Sequence, residues 1–227
     1  MLFRSTELNL ASKIQASRLP NVFPAFPKID EFDIYATMHP AKEVGGDFYD
    51  YYMIDEDHLG FVVADVSGKG VPACLFMMEA KIYISNYALM GFSPAKTLEL
   101  ANKRMCENNE ADLFVTVWLG ILELSTGKII SANGGHDYPA LCRKNREFEI
   151  VEDKFDSPVS KVLGYFGRGT STTYQGMSAE DKRLNRYKPR LWLINGQQHG
   201  GRNIYLHIDL SETDNDNIMN KYSTTNF

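Results

Sequence analysis

Between residues 114 and 151 the chain passes through four short β-rich runs: Phe114 to Leu124, Lys128 to Ala132, Ala140 to Arg143 and Phe148 to Val151. Turns such as Ser125-Thr126-Gly127 and Asn133-Gly134-Gly135-His136 separate them. Connections this short can reverse a strand but cannot carry a helical crossover, so neighbouring strands must run antiparallel. The first half obeys the same logic. Ile34 to Met38, Phe48 to Ile54 and Leu59 to Val66 read as strands, with Asp55-Glu56-Asp57-His58 as a solvated hairpin turn. A consecutive helix pair lies between the two sets. Val71 to Met90 has Pro72 in its first turn and Gly91 past its end. Leu75, Met78, Ala80, Ile82, Ile84 and Leu89 spread around its circumference, which predicts a largely buried helix. Met77 and Met78 read there as core filler. Ser93-Pro94 caps a second helix running to Glu107. Ahead of everything, residues 5–18 form an amphipathic pattern that stops before a loop punctuated by Pro20, Pro24 and Pro27. Strands, a helix pair and strands again define an α+β domain.

The chain of 227 residues is 44% hydrophobic and 12% aromatic, enough for a packed core and incompatible with general disorder. A net charge of -5 argues against nucleic acid or an anionic membrane as partner. Cys74, Cys106 and Cys142 are odd in number and lack metal-ligand spacing, which suits a reducing compartment, with Cys74 a small core residue. No apolar run reaches membrane-spanning length and Met1 to Asn9 lacks a signal-peptide core, so a soluble, cytoplasmic protein is expected.

Chemistry concentrates in two acidic, glycine-flanked clusters. Glu43-Val44-Gly45-Gly46-Asp47-Phe48-Tyr49-Asp50 is one; Val62-Val63-Ala64-Asp65-Val66-Ser67-Gly68-Lys69-Gly70 is the other. Carboxylates at strand ends beside tight turns can gather around a hard divalent cation. Asp50 stands three residues beyond Asp47, so in an extended strand the two face opposite ways and only Asp47 is expected to meet Asp65. The plainer reading of either cluster alone is an ordinary turn. Gly68-Lys69-Gly70 lacks the spacing of a Walker loop; Gly70 serves either as a helix cap or near an anion. His136 reads as a hydrogen-bonding turn residue; as a zinc ligand or general base it lacks partners in the sequence. Ser67 has no nucleophile-elbow context.

Four segments taken in order resemble one family. They are Ala11-Ser12-Lys13-Ile14-Gln15-Ala16-Ser17-Arg18-Leu19-Pro20, Pro40-Ala41-Lys42-Glu43-Val44-Gly45-Gly46-Asp47-Phe48-Tyr49-Asp50, Ala64-Asp65-Val66-Ser67-Gly68-Lys69-Gly70-Val71-Pro72-Ala73 and Ala132-Asn133-Gly134-Gly135-His136-Asp137-Tyr138-Pro139-Ala140-Leu141. The chain resembles the SpoIIE/RsbU-like branch of the PPM-type metal-dependent protein serine/threonine phosphatases over residues 5 to 167. The resemblance implies a four-layer α-β-β-α sandwich of two antiparallel sheets. It implies two Mn²⁺ or Mg²⁺ ions, held by Asp47, by Asp65 bridging both, and by the main-chain carbonyl of Val66. Water activated there would hydrolyse phosphoserine or phosphothreonine on a regulatory protein of the anti-anti-sigma type. Residues 1–20 would be a linker helix, a candidate dimer contact, and residues 21–167 the phosphatase core.

Residues 168–227 depart from that pattern. They carry a net charge of +2 against -7 for residues 1–167. Past Leu163-Gly164 the family's Thr-Asp-Gly strand end has as its counterpart either Leu191-Trp192-Leu193-Ile194-Asn195-Gly196, ending in Asn-Gly, or, with Asp181-Lys182 in register, no ligand at all. Asp209, Asp214 and Asp216 are the stand-ins on offer for a last ligand. A divergent or frame-shifted segment and a fold incomplete at its C-terminus are therefore expected. Two function classes stay open: a metal-dependent phosphatase, and a phosphatase-like binding module with an incomplete metal site.

Overall fold

A computed structural model describes residues 2–38, 43–107, 109–142, 148–151, 170–174, 190–195 and 204–209. The elements in chain order are α1 (Leu2–Arg18), β1 (Asp33–Met38), β2 (Phe48–Met53), β3 (His58–Val66), α2 (Val71–Leu89), α3 (Pro94–Cys106), β4 (Val115–Glu123) and β5 (Lys128–Gly134). They continue as β6 (Ala140–Cys142), β7 (Phe148–Ile150), β8 (Thr170–Tyr174), β9 (Arg190–Asn195) and β10 (Ile204–Asp209). The strands form two five-stranded sheets, ordered β2-β3-β4-β5-β8 and β1-β10-β9-β6-β7. Every paired strand is antiparallel, as the short turns require for β2-β3, β4-β5 and β6-β7.

The β2-β3-β4-β5-β8 sheet is packed against by α2 and α3 and also by β9 of the second sheet, which contacts β3. That double cover explains why Phe61, Val62, Val63 and Ala64 are all buried in one unbroken run instead of alternating with polar residues. Trp118, Phe48, Leu59 and Leu119 complete the same core. Segments after residue 167 enter both sheets: β8 pairs with β5, while β10 and β9 stand between β1 and β6.

Local sequence sets the helix ends. Gly70, at φ 73°, turns the chain into α2 with Pro72 in the first turn. In α3 the Ser93 hydroxyl accepts from Lys96 N at 3.4 Å. One expectation needs correction. Helix α2 is not buried all round: Ala73, Met77, Ala80, Ile84 and Ala88 are inside, while Leu75, Ile82 and Leu89 are 65%, 52% and 49% exposed. An outer-layer helix has a sheet on one side only, and a sequence with apolar residues spread around the circumference cannot say which side that is. Among the described residues no helix is long and apolar enough to cross a membrane. Arg143, Pro40 to Lys42, Leu163-Gly164, Asp181-Lys182, Asp214, Asp216 and Ser211 to Phe227 lie outside the described residues.

Candidate metal centre

The antiparallel register of β2 and β3 pairs Phe48 with Ala64. One step further along the same ladder, Asp47 falls opposite Asp65, and directly opposed residues share a face. A hydrogen bond joins the two carboxyl groups. Burial, that hydrogen bond and the Asp65 charge, in that order, push the Asp47 carboxyl up to about 8. Without a counter-charge, the pair therefore holds a proton at neutral pH.

Gly46 makes this approach sterically feasible. A Cβ built on it would lie 2.8 Å from Val66 Cβ, 3.0 Å from the Val66 carbonyl oxygen and 3.2 Å from Ala73 Cβ. Only a bare backbone lets the segment before β2 lie against the end of β3. Gln15 holds the same segment from the other side: its Nε2 donates to the Gly45 carbonyl at 2.6 Å and its Oε1 accepts from Gly45 N at 3.0 Å. Helix α1 is thus bolted two residues from Asp47 through a buried side chain. The Tyr49 hydroxyl adds a further tie, donating to the Pro20 carbonyl at 2.7 Å.

Asp50 points elsewhere. Its carboxylate is buried and meets Lys81 of α2 at 2.6 Å, on the helix-covered face. Burial raises the Asp50 carboxyl from its ordinary value, and the Lys81 charge and hydrogen bond pull it back. Past Val66 the strand pair is closed by Ser67 N donating to the Phe114 carbonyl at 2.8 Å and Phe114 N donating to Ser67 Oγ at 2.9 Å. Ser67 is accordingly a fastening for the strand end. Gly68, at φ 89°, then leads the chain toward α2.

The row of Asp47 and Asp65 continues across the sheet. Thr116 of β4 stands opposite Asp65 in register, and its hydroxyl donates to the Asp65 carbonyl at 3.3 Å. Thr116 Oγ1 also lies 2.9 Å from His136 Nδ1. His136 is buried and its turn is closed by Asn133: His136 N donates to Asn133 Oδ1 at 2.8 Å, and Asn133 Nδ2 donates to the His136 carbonyl at 3.0 Å. Gly135 takes φ 78° to make that turn. Burial lowers the His136 ring to about 4, against the raising effect of Asp137 and Asp65. Sequence reasoning gave no sign of Thr116, Gln15 or Lys81, because each acts through a contact 30 or more residues away.

The residues present fit a hard cation. Two carboxylates at hydrogen-bonding distance, with the Val66 carbonyl beside Gly46, are an all-oxygen set suited to Mg²⁺ or Mn²⁺. The proton held on Asp47 is what a cation would displace. Another group, Asp57, His58 and Glu123, brings three donor atoms within 4.8 Å of one another, at the opposite end of β3. Its donors are engaged in turn contacts: Asp57 accepts from Ser125 N and Oγ at 2.7 and 2.6 Å, and His58 Nδ1 meets Asp55 at 2.8 Å.

Of the C-terminal residues considered as ligands, Asn195 ends β9 opposite Ile204, which itself pairs with Met38 at the end of β1. Asp209 pairs with Asp33 and Arg190 at the other end of that ladder, away from Asn195.

A family model described as Stage II sporulation protein E (SpoIIE) matches residues 55–183, a span that includes Asp65, Val66 and His136 and begins after Asp47. Phosphoserine phosphatase RsbU of Bacillus subtilis (strain 168) is 28% identical over 132 residues, covering 58% of this chain and 38% of that protein. Phosphoserine phosphatase RsbP of the same organism is 26% identical over 185 residues, 80% of this chain and 44% of that protein. The chain therefore spans less than half the length of these curated relatives. Among solved structures, the SiaA-PP2C domain of Pseudomonas aeruginosa superposes with a TM-score of 0.65 at 17% identity, over 90% of this chain and 96% of that one.

Proposed function

The chain belongs to the SpoIIE family, and from that membership we propose that it is a PPM-type phosphatase hydrolysing phosphoserine or phosphothreonine on a regulatory protein. The observation that carries this reading is the Asp47–Asp65 pair, two carboxylates brought together at a strand end at electrostatic cost. Such a cost is retained where function needs it. Asp47, Asp65 and the Val66 carbonyl would hold two Mn²⁺ or Mg²⁺ ions. When bound, the ions acidify a water and neutralise charge developing on the phosphoryl oxygens.

The rest is the work of this chain's own residues. Asp65 and Asp47 supply negative charge on one face of the sheet, Gly46 lets the Asp47 segment lie against Val66, and Thr116 hydrogen-bonds the main chain of Asp65. The Asp50–Lys81 pair anchors β2 to α2, so the strand carrying Asp47 is held from behind. The finer points of the proposal follow the family: a four-layer sandwich, an anti-anti-sigma-type substrate protein, a cytoplasmic setting, residues 1–20 as linker helix and dimer contact, residues 21–167 as phosphatase core and residues 168–227 as the divergent part.

Manganese-dependent hydrolysis of p-nitrophenyl phosphate and of a phosphoserine protein tests the reading. Turnover is expected with the wild-type chain and its loss on Asp65→Ala. Folded wild-type protein that binds no Mn²⁺ and turns over neither substrate refutes it.

A further inference from the structure

His136 has a polar atom that the described contacts leave idle. Nδ1 is taken by Thr116, while Nε2 is buried and has no hydrogen-bond partner among the described residues. The proton arrangement follows from the neighbours. A carbonyl can only accept, so the contact between Thr116 Oγ1 and the Asp65 carbonyl uses the one proton of the hydroxyl. With that proton given to the carbonyl, Thr116 Oγ1 accepts from His136, which assigns the ring proton to Nδ1 and leaves Nε2 as a bare acceptor. A buried acceptor left unmet carries its full desolvation penalty, so such an atom implies a donor that the described residues do not provide.

Several features show that this orientation is built rather than incidental. Asn133 clamps both backbone polar groups of His136, and Gly135 adopts a left-handed conformation to form the turn. The ring sits at the end of the row Asp47, Asp65, Thr116, within electrostatic range of the Asp65 carboxylate. Asp137 also acts on it electrostatically.

Resting on the phosphatase reading above, we infer that His136 is a catalytic residue whose Nε2 accepts a hydrogen bond from the water that the Asp47/Asp65 centre would orient for attack. Thr116 fixes the tautomer, and through it the ring is tied to the main chain of the same aspartate that holds the cation. No proton transfer to the ring is needed; the imidazole restricts the orientation of the water's lone pair.

Nitrogen-15 spectra of the full chain, with and without Mg²⁺, read this directly. The expected result is a protonated Nδ1 and an unprotonated Nε2, with the Nε2 resonance moving on Mg²⁺ addition and Nδ1 staying in place. Thr116→Val should release the tautomer into a mixture. In turnover, His136→Asn keeps a donor toward Thr116 but removes the Nε2 acceptor. It should lower kcat by about 10- to 100-fold with KM unchanged. His136→Gln, which restores an acceptor near the Nε2 position, should recover most of kcat. Mg²⁺ binding that leaves Nε2 unmoved, or a ring protonated at Nε2, overturns this inference and leaves the phosphatase reading intact. Absence of Mg²⁺ binding to the wild-type chain overturns both.

Discussion

At the residue scale, two titratable groups on one row are displaced in opposite directions, and their pH signatures differ in sign. Asp47 titrates near 8 in the folded chain against an ordinary carboxyl value of about 4. Between those values the folded state holds a proton that the unfolded state has lost. Cation-free stability from this source therefore falls as pH rises toward 8. His136, lowered to about 4, acts the other way: its contribution is lost as pH falls from about 6.5 toward 4. The two oppose one another below pH 6.5, so the Asp47 signature is cleanest between about pH 6.5 and 8. In chelator, melting temperature should drop across that window for wild type and stay flatter for Asp47→Asn, which removes the repulsion with Asp65. Identical slopes in the two proteins would contradict the proton-sharing pair. The same substitution should abolish stabilisation by Mn²⁺, which in wild type raises the melting temperature by mass action. That Asp47 and not Asp50 meets Asp65 was readable from strand alternation. That Asp50 instead anchors Lys81 was not, because the partner lies on a helix 31 residues away.

Elements meet at the centre through contacts that can be broken singly. Gly46→Ala pushes a methyl group into Val66 and should cost about 1–3 kcal/mol as overpacking. It should also separate Asp47 from Asp65. Denaturant unfolding together with Mn²⁺ titration checks this, and a variant as stable and as cation-responsive as wild type would show that the two segments do not pack as described. Lys81→Met leaves the buried Asp50 carboxylate with Tyr51 N as donor but without a counter-charge, and is expected to cost about 3–5 kcal/mol at neutral pH. The loss should shrink in acid, where Asp50 can take up a proton, so urea midpoints at two pH values separate this charge effect from simple repacking. Gln15→Ala strips two hydrogen bonds from Gly45, and about 1–3 kcal/mol should go with them. If α1 contributes nothing to holding the Asp47 segment, cation affinity in this variant will match wild type. Most elements were legible from turn residues, caps and apolar runs. The orientation of α2 was not, since its apolar residues are spread around the circumference and only the position of the sheet selects the buried side.

At the scale of the whole molecule, the segment after residue 167 supplies β8 to one sheet and the neighbouring β9 and β10 to the other. Its removal would leave β1 without β10 and β6 without β9. A chain ending at residue 167 should therefore fail to melt cooperatively by circular dichroism; a sharp transition near that of the full chain would show that the first 167 residues form the folding unit. Composition alone drew a boundary there, because charge changes sign along the chain, but strand pairing joins what charge divides. The local sequence determined the antiparallel architecture and the two acidic strand ends, since turn length and side-chain alternation are properties of adjacent residues. Tertiary structure alone decided the row from Asp47 to His136, the clamp from α1 and the ion pair under β2. Each of those depends on strand register and layer packing between segments that the chain keeps far apart.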